Sequence, residues 1–382
     1  MFRDKILLLD AGGTQTLPMA EYFYKSDFHV SFFLYKKFTY GSGSKYAHEK
    51  VFAPASKDEE SYLSFLLNYV SENEVSLIIP LSDITAELVS KHQEEIKKFS
   101  RIVTPAFGSF SNGYNKGLLM KLCEENDFPH PKTYHVNEIS DIDELDQEEL
   151  PLYLKPNITT GGRGMSLVNS INELKEKAPS ILKDFGAFHL QEFIPPGGNQ
   201  YKVQLFRTVN NEIIGSSVMH KVRFYPVDGG SSCYNTTIQR NDLVNLCENV
   251  LDRLNWIGFA DFDLIEDPRT KECKILEINP RLPACVKSAF KSGMNYAEMY
   301  YLEAYNKEHK NYVYNTGVGL RHLGLDFLWL LNSGRKPIKQ RLKWFDFFFS
   351  KQFYQDISLN DLKSFFIGLY GNVYKIKEKK RE

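Results

Sequence analysis

The strongest constraint on this chain is a pair of alternating segments, Trp256 to Asp263 and Lys274 to Arg281. Side chains two apart share a strand face, so Asp261 and Asp263 project together, as do Glu277 and Asn279. A hairpin turning near Thr270 sets Asp263 opposite Glu277 and Asp261 opposite Asn279. That places three carboxylates and an amide on one patch, which is destabilising unless a cation joins them. Oxygen donors in small number suit Mg²⁺, with Mn²⁺ as the alternative. An exposed acidic sheet face is the rival reading and would suffice for a lone Asp-x-Asp.

Around this hairpin the pattern changes along the chain. Ile6 to Leu9, Val30 to Leu34 and Val75 to Pro80 read as strands, alternating with helices up to Lys25, over Glu59 to Val70 and over Ile84 to Phe99. Such alternation predicts an α/β domain with a parallel, helix-covered sheet. A helix over Asn115 to Asn126 runs into Phe128-Pro129-His130-Pro131, a linker. After Pro151 strands dominate: Leu152 to Lys155, Phe188 to Ile194, Tyr201 to Arg207, Glu212 to His220, Ile257 to Ile265 and Cys273 to Asn279. Helices near Ile171 to Lys183 and Asp242 to Leu254 complete an α+β region on antiparallel sheets. The expected organisation is 1–112, 113–310 (divided at 195/196) and a helical, basic and aromatic C-terminal extension, 311–382.

The 382 residues carry 47 Lys+Arg and 48 Asp+Glu, so no whole-molecule field demands a nucleic-acid partner. The balance is uneven. Residues 335–382 hold 12 basic, 5 acidic and 11 aromatic side chains, a net +7 against −8 for the rest. Five scattered cysteines without a CxxC pair argue against a disulfide framework or zinc site. With no signal-like apolar N-terminus and no stretch of ~20 apolar residues, a cytoplasmic protein is expected. Gly12-Gly13 after the first strand lacks a full GxGxxG and reads as a tight turn; a dinucleotide-dependent oxidoreductase rests on it alone.

Glu277-Ile278-Asn279-Pro280-Arg281, following a strand with Asp263, resembles the metal-binding end of the ATP-grasp superfamily. The resemblance implies that Asp263, Glu277 and Asn279 hold Mg²⁺ against ATP phosphates, that Asp261 supports them, and that Arg281 reaches the γ-phosphate or an acyl phosphate. Further motifs follow in family order. Lys116, opening a helix, and Lys155, in Tyr153-Leu154-Lys155-Pro156, look like the two phosphate-binding lysines. Thr159-Thr160-Gly161-Gly162-Arg163-Gly164 resembles the glycine-rich lid, and it lacks the Gly-Lys-Ser/Thr of a Walker loop. Gln191, Glu192, Phe193 and Ile194 look like the adenine hinge, and Gln200 stands where the family usually has a ribose-binding Glu. The likeness covers about residues 5 to 310. The N-terminal sheet with Ile78 to Asp83 resembles the pre-ATP-grasp domain of the carbamoyl-phosphate-synthase-like and D-aspartate-ligase-like branch.

This resemblance implies an ATP-dependent carboxylate–amine ligase that passes an acyl phosphate to an amine. The alternative is a non-catalytic nucleotide-binding scaffold docked through its tail. Arg223, which shares a strand face with Lys221 and leads into Asp228-Gly229-Gly230-Ser231-Ser232, is the expected grip on the acceptor carboxylate; a salt-bridged strand is the rival. Asp83 is a candidate contact for the amine, and Cys285 reads as a small buried residue. Small-molecule carboxylate and amine substrates are expected, without nucleic acid; the oligomeric state stays open, a homodimer included. In the tail, Leu359, Leu362, Phe366, Leu369 and Val373 follow helical spacing after Ser358-Leu359-Asn360-Asp361, a capping box. With the basic and aromatic run Arg341 to Phe349, it reads either as a layer packed on the body or as a segment contacting the inner membrane face or a protein partner.

Overall fold

The computed structural model describes residues 2–136, 138–227, 231–334, 336–348 and 351–378. Strands β1 (Lys5–Leu9), β2 (His29–Leu34), β3 (Glu49–Phe52) and β4 (Leu77–Pro80) form a parallel sheet in the order β3-β2-β1-β4. In β1, Ile6 and Leu8 join Met19, Ala20 and Phe23 of helix Thr16–Lys25, while Leu7 and Leu9 join Tyr62 and Leu66 of helix Glu59–Glu72. Both faces are covered, so the strand is uniformly apolar. The helix expected over Ile84 to Phe99 breaks at His92 into Asp83–Lys91 and Gln93–Ile96. Ser82 caps the first piece by accepting from Thr85 N.

The second sheet is antiparallel, β5-β8-β6-β7, from β5 (Thr133–His135), β6 (Leu152–Pro156), β7 (Ser166–Val168) and β8 (Phe188–Glu192). Helix Ile171–Phe185 covers it through Leu174, Ala178 and Ile181. The third sheet has seven strands: β9 (Gln200–Arg207), β10 (Ile213–Tyr225), β11 (Ser231–Ile238), β12 (Gly258–Glu266), β13 (Cys273–Asn279), β14 (Gly319–Arg321) and β15 (Gln352–Tyr354). Their order is β13-β12-β9-β10-β11-β14-β15. Helix Asn241–Leu254 packs Leu243, Cys247, Val250 and Leu251 on Val203, Leu205, Ala260 and Phe262. Each such aliphatic side chain contributes about 1.5–3 kcal/mol by leaving water.

Two expectations change here. β10 continues to Tyr225, and Ser231 and Ser232 begin β11; Asp228, Gly229 and Gly230 of the expected turn lie outside the described residues, as do Arg335, Phe349 and 379–382. The C-terminal extension is not helical alone, since β14 and β15 lengthen the seven-stranded sheet. Its last helix is Leu362–Glu378, so Leu359 precedes it. Asp361, expected within a cap, instead accepts from Ser44 Oγ at 2.6 Å and Lys45 N at 3.2 Å. Among the described residues, no helix is long and apolar enough to cross a membrane.

Candidate active site

The hairpin register matches the spacing argument: Asp263 pairs with Glu277 and Asp261 with Asn279. The next pair, however, is Leu264 with Ile275, which leaves Leu276 as a bulge. In an unbroken strand Glu277 would share the face of Ile275. The extra residue lets Ile275 and Ile278 both enter the core beneath helix Asn241–Leu254 while Glu277 and Asn279 oppose the aspartates.

Cations already sit against these acids. Lys202 Nζ lies 2.6 Å from Asp261 Oδ2 and 2.7 Å from Asp263 Oδ2, and Lys221 Nζ holds the other oxygen of Asp263. Gln204 Nε2 donates to Asp261 at 3.3 Å, and Asn279 Nδ2 to Asp263 at 3.1 Å. Burial alone would raise both carboxyl pKa values. Lys202 and Lys221 outweigh it at Asp263, holding that group below the usual carboxylate range. For Asp261 burial, helped by the neighbouring Asp263 charge, prevails over Lys202 and raises the pKa above the usual carboxylate range. Sequence reasoning missed Lys202 and Gln204. The signal was present: two polar residues two apart in Tyr201 to Phe206, paired in register with Asp263 and Asp261.

Asp263, Glu277 and Asn279 offer oxygen donors only, the chemistry a hard divalent cation requires. Among the described residues no three His, Cys, Asp or Glu side chains converge as a metal cluster, so the Asn279 amide oxygen would be the third donor. The set fits Mg²⁺ or Mn²⁺ in kind.

Beside the acids lies a cavity of about 630 Å³ between the second and third sheets. Lys155, Gln191, Glu192, Phe193, Ile194 and Gln200 all line it, facing Ile265 and the bulged Leu276. Tyr153, Met165 and Phe224 also contribute and were not anticipated. Lys155 Nζ donates to Gln191 Oε1. Burial, countered by Glu277 and reinforced by Lys116, pushes the Lys155 pKa down to about 8. The Glu192 carboxylate is spent within the protein, accepting from Lys132 N at 3.0 Å, Arg269 at 3.0 Å and Lys274.

Lys116 opens helix Lys116–Glu125, which Asn115 caps at Leu118 N. Its Nζ is 2.9 Å from Thr159 O and 3.2 Å from Glu277 Oε2. In the loop, Thr159 Oγ1 donates to Arg163 O at 3.0 Å and Arg163 Nη2 to Thr160 Oγ1 at 2.9 Å. Gly161, Gly162 and Gly164 have φ of +66°, +70° and +75°, a conformation other residues adopt only with strain.

Two predicted cations are held elsewhere. Arg281 faces Asp83, with Nε 3.1 Å from Oδ1 and Nη2 3.3 Å from Oδ2, tying the segment after β13 to helix Asp83–Lys91. Arg223 grips Asp326 through Nε at 2.7 Å and Nη2 at 3.0 Å, its guanidinium lying 4.2 Å from the Tyr234 ring centroid and 5.1 Å from that of Trp329. The fork expected for a substrate carboxylate is thus filled by one from helix Leu323–Asn332, and Arg223 is 5% exposed. Cys285 is buried, and burial pushes its thiol up to about 12, as suits a packing residue.

Two sheets thus clamp a cavity, with lysines, a glycine loop and an oxygen-donor hairpin at one end, and residues 114–285 match the sequence profile of the ATP-grasp domain. Among characterised proteins, the D-aspartate ligase of Enterococcus faecium (strain Aus0004) is 25% identical over 230 residues, 56% of this chain and 55% of the ligase. The chain thus spans about half the length of that relative. Biotin carboxylase from Campylobacter jejuni, solved with β-γ-ATP, shares the fold at TM-score 0.69 and 15% identity, over 82% of this chain and 74% of its own. L-amino acid ligase from Bacillus licheniformis does so at TM-score 0.63 and 14% identity, over 80% and 75%.

Proposed function

We propose that this protein is an ATP-dependent ligase joining a carboxylate to an amine. The observation that carries this reading is Lys116, whose ammonium touches both the glycine loop, at Thr159, and the hairpin acid Glu277, beside the cavity. Adenine would lie against Phe193, Ile194 and Leu276, with Gln200 for the ribose. Lys116 and Lys155 would pair with phosphate oxygens. Asp263, Glu277 and Asn279 would hold Mg²⁺ or Mn²⁺, which when bound would supply positive charge to offset the negative charge of the transferring phosphoryl group.

A carboxylate oxygen of the first substrate attacks the γ-phosphorus, the bond to the bridging oxygen breaks, and ADP leaves with the electron pair. The amine then attacks the acyl carbon, the C–O bond to phosphate breaks, and the amine proton passes to solvent. Gly161, Gly162 and Gly164 let the lid backbone close over the mixed anhydride and exclude water. Arg281, two residues past the end of β13, is held by Asp83 and would have to leave it to meet the phosphoryl group. Arg223 serves this reaction by holding β10, from which Lys221 reaches Asp263.

The likeness to D-aspartate ligase supports an amino acid as one substrate. ADP release should be measured across amino acids, dipeptides and sugar acids, beginning with the two enantiomers of aspartate, with mass spectrometry of the products. A condensation product formed stoichiometrically with ADP is expected. Tight ATP binding with no ADP release under any pair would favour the scaffold instead.

A further inference from the structure

Helix Leu362–Glu378 lies on the protein with its small residues inward. Ser364 Oγ donates to Tyr40 O at 2.8 Å. A Cβ at Gly368 would come within 2.4 Å of the Tyr40 ring, and one at Gly371 within 2.0 Å of Phe38 O. At Gly371 backbone meets backbone, and at Gly368 a ring takes the place of a side chain, approaches that only glycine permits.

The opposite face holds Leu362, Phe366, Leu369, Tyr370, Val373 and Tyr374, between 44% and 63% exposed. Their spacing is that of a single helical stripe. A helix evolved only to cover the body would present this stripe inward; here it points to solvent. Phe38 extends it onto the first domain, edge-on to Tyr370 with ring centroids 4.9 Å apart. Exposed Lys36, Lys37, Lys363 and Lys375 lie on the same segments. Within the helix the only acid is Glu378, and the sequence continues Lys379-Lys380-Arg381.

We propose that this face docks on a lipid bilayer surface bearing anionic headgroups. Leucine and phenylalanine would enter the boundary of the acyl chains, tyrosine rings would lie with their hydroxyls toward the headgroups, and the lysines would meet lipid charge. The charge pattern selects this occupant. Lys36, Lys37, Lys363 and Lys375, exposed on the segments that carry the stripe, attract an anionic surface locally, whereas a second copy stacked on the same stripe would oppose like-charged lysines. The helix lies in the interface rather than across it, having 17 residues and a small polar inner face.

The test is co-sedimentation of the full chain with vesicles of phosphatidylcholine alone or in equal parts with phosphatidylglycerol. Binding to the mixed vesicles only, weakened by added salt, is expected. Phe366→Ser with Tyr370→Ser should lower partitioning at least about tenfold, from the apolar area withdrawn, with circular dichroism and melting temperature unchanged because both side chains are exposed. Lys363→Glu with Lys375→Glu should reduce binding to mixed vesicles without touching the apolar stripe. Absence of binding to mixed vesicles, equal binding to neutral ones, or full binding by either double variant would overturn the proposal. So would self-association in analytical ultracentrifugation that the Phe366 and Tyr370 changes abolish, since a second copy would then cover the face.

Discussion

Lys202 and Asp261 meet at 2.6 Å from neighbouring strands, the carboxylate wholly buried and the ammonium nearly so. The acidic hairpin is thus built around a protein cation. Lys202 also touches Asp263, so one ammonium spans both aspartates. Removing one member of a buried pair strands the other, which costs more than the pair is worth.

Lys202→Met should therefore lower folding stability by about 3–5 kcal/mol, read as a reduced midpoint in urea. Asp261→Asn in the same chain should restore a good part of that loss, because the stranded charge is gone. A single-variant loss below about 1 kcal/mol would mean that water or Gln204 solvates Asp261 well enough without the lysine.

Glu277 is more exposed and has Lys116 as its ion-pair partner at 3.2 Å. Glu277→Gln should leave the urea midpoint nearly unchanged. It should cut Mg²⁺-dependent ADP release by about two to three powers of ten, the scale of a lost electrostatic contact to the transferring group. The magnesium requirement should also move to higher concentration. Wild-type turnover in the folded variant would remove Glu277 from the metal site.

Much of this site was legible because periodicity reports on faces. The alternation in Phe259 to Asp263 and Ile275 to Asn279 set the cross-strand pairs, and the lysines and glycines carried the clamp. The bulge at Leu276 was hidden, since no residue type marks it and only competition between Ile275, Glu277 and Ile278 for faces requires it. Lys202 was overlooked because a single lysine in a strand looks solvated until its neighbours are known. Asp326, the partner of Arg223, lies 103 residues away in a helix that pattern alone left undefined. The tail spacing predicts a helix, which holds from Leu362 on and not at Leu359; which side faces the body is decided by Gly368 and Gly371, through a close approach to Tyr40 and Phe38 that spacing does not reveal.

Asp326 accepts from Arg223 and also from Arg321 Nη1 at 3.0 Å. Asp326→Ala would leave two buried guanidinium groups short of their counterion, and should cost about 3–5 kcal/mol in urea denaturation. Arg223→Lys, which cannot reproduce the two-pronged grip, should lose part of that stability with little change in nucleotide affinity. A fall in acceptor-dependent ADP release at unchanged stability would instead place Arg223 in contact with substrate.

Lys155 gives the site a pH dependence with a definite sign. Burial, only partly offset by Glu277, pushes its pKa down to about 8, so in the free protein the ammonium loses its proton above that pH. Phosphate oxygens favour the charged form. Nucleotide binding above pH 8 must therefore take up a proton, and affinity should fall with pH by up to about tenfold per unit. Folding stability should move the other way. Above pH 8 the native state binds fewer protons than the unfolded chain, so without nucleotide this group makes stability rise until the unfolded lysine also titrates. Titration calorimetry with a non-hydrolysable ATP analogue on both sides of pH 8 reads the first effect. Lys155→Arg, which keeps its charge throughout, should flatten the profile. A wild-type affinity that does not change across this range would mean that Lys155 stays charged in the free protein, or that it does not meet the phosphates.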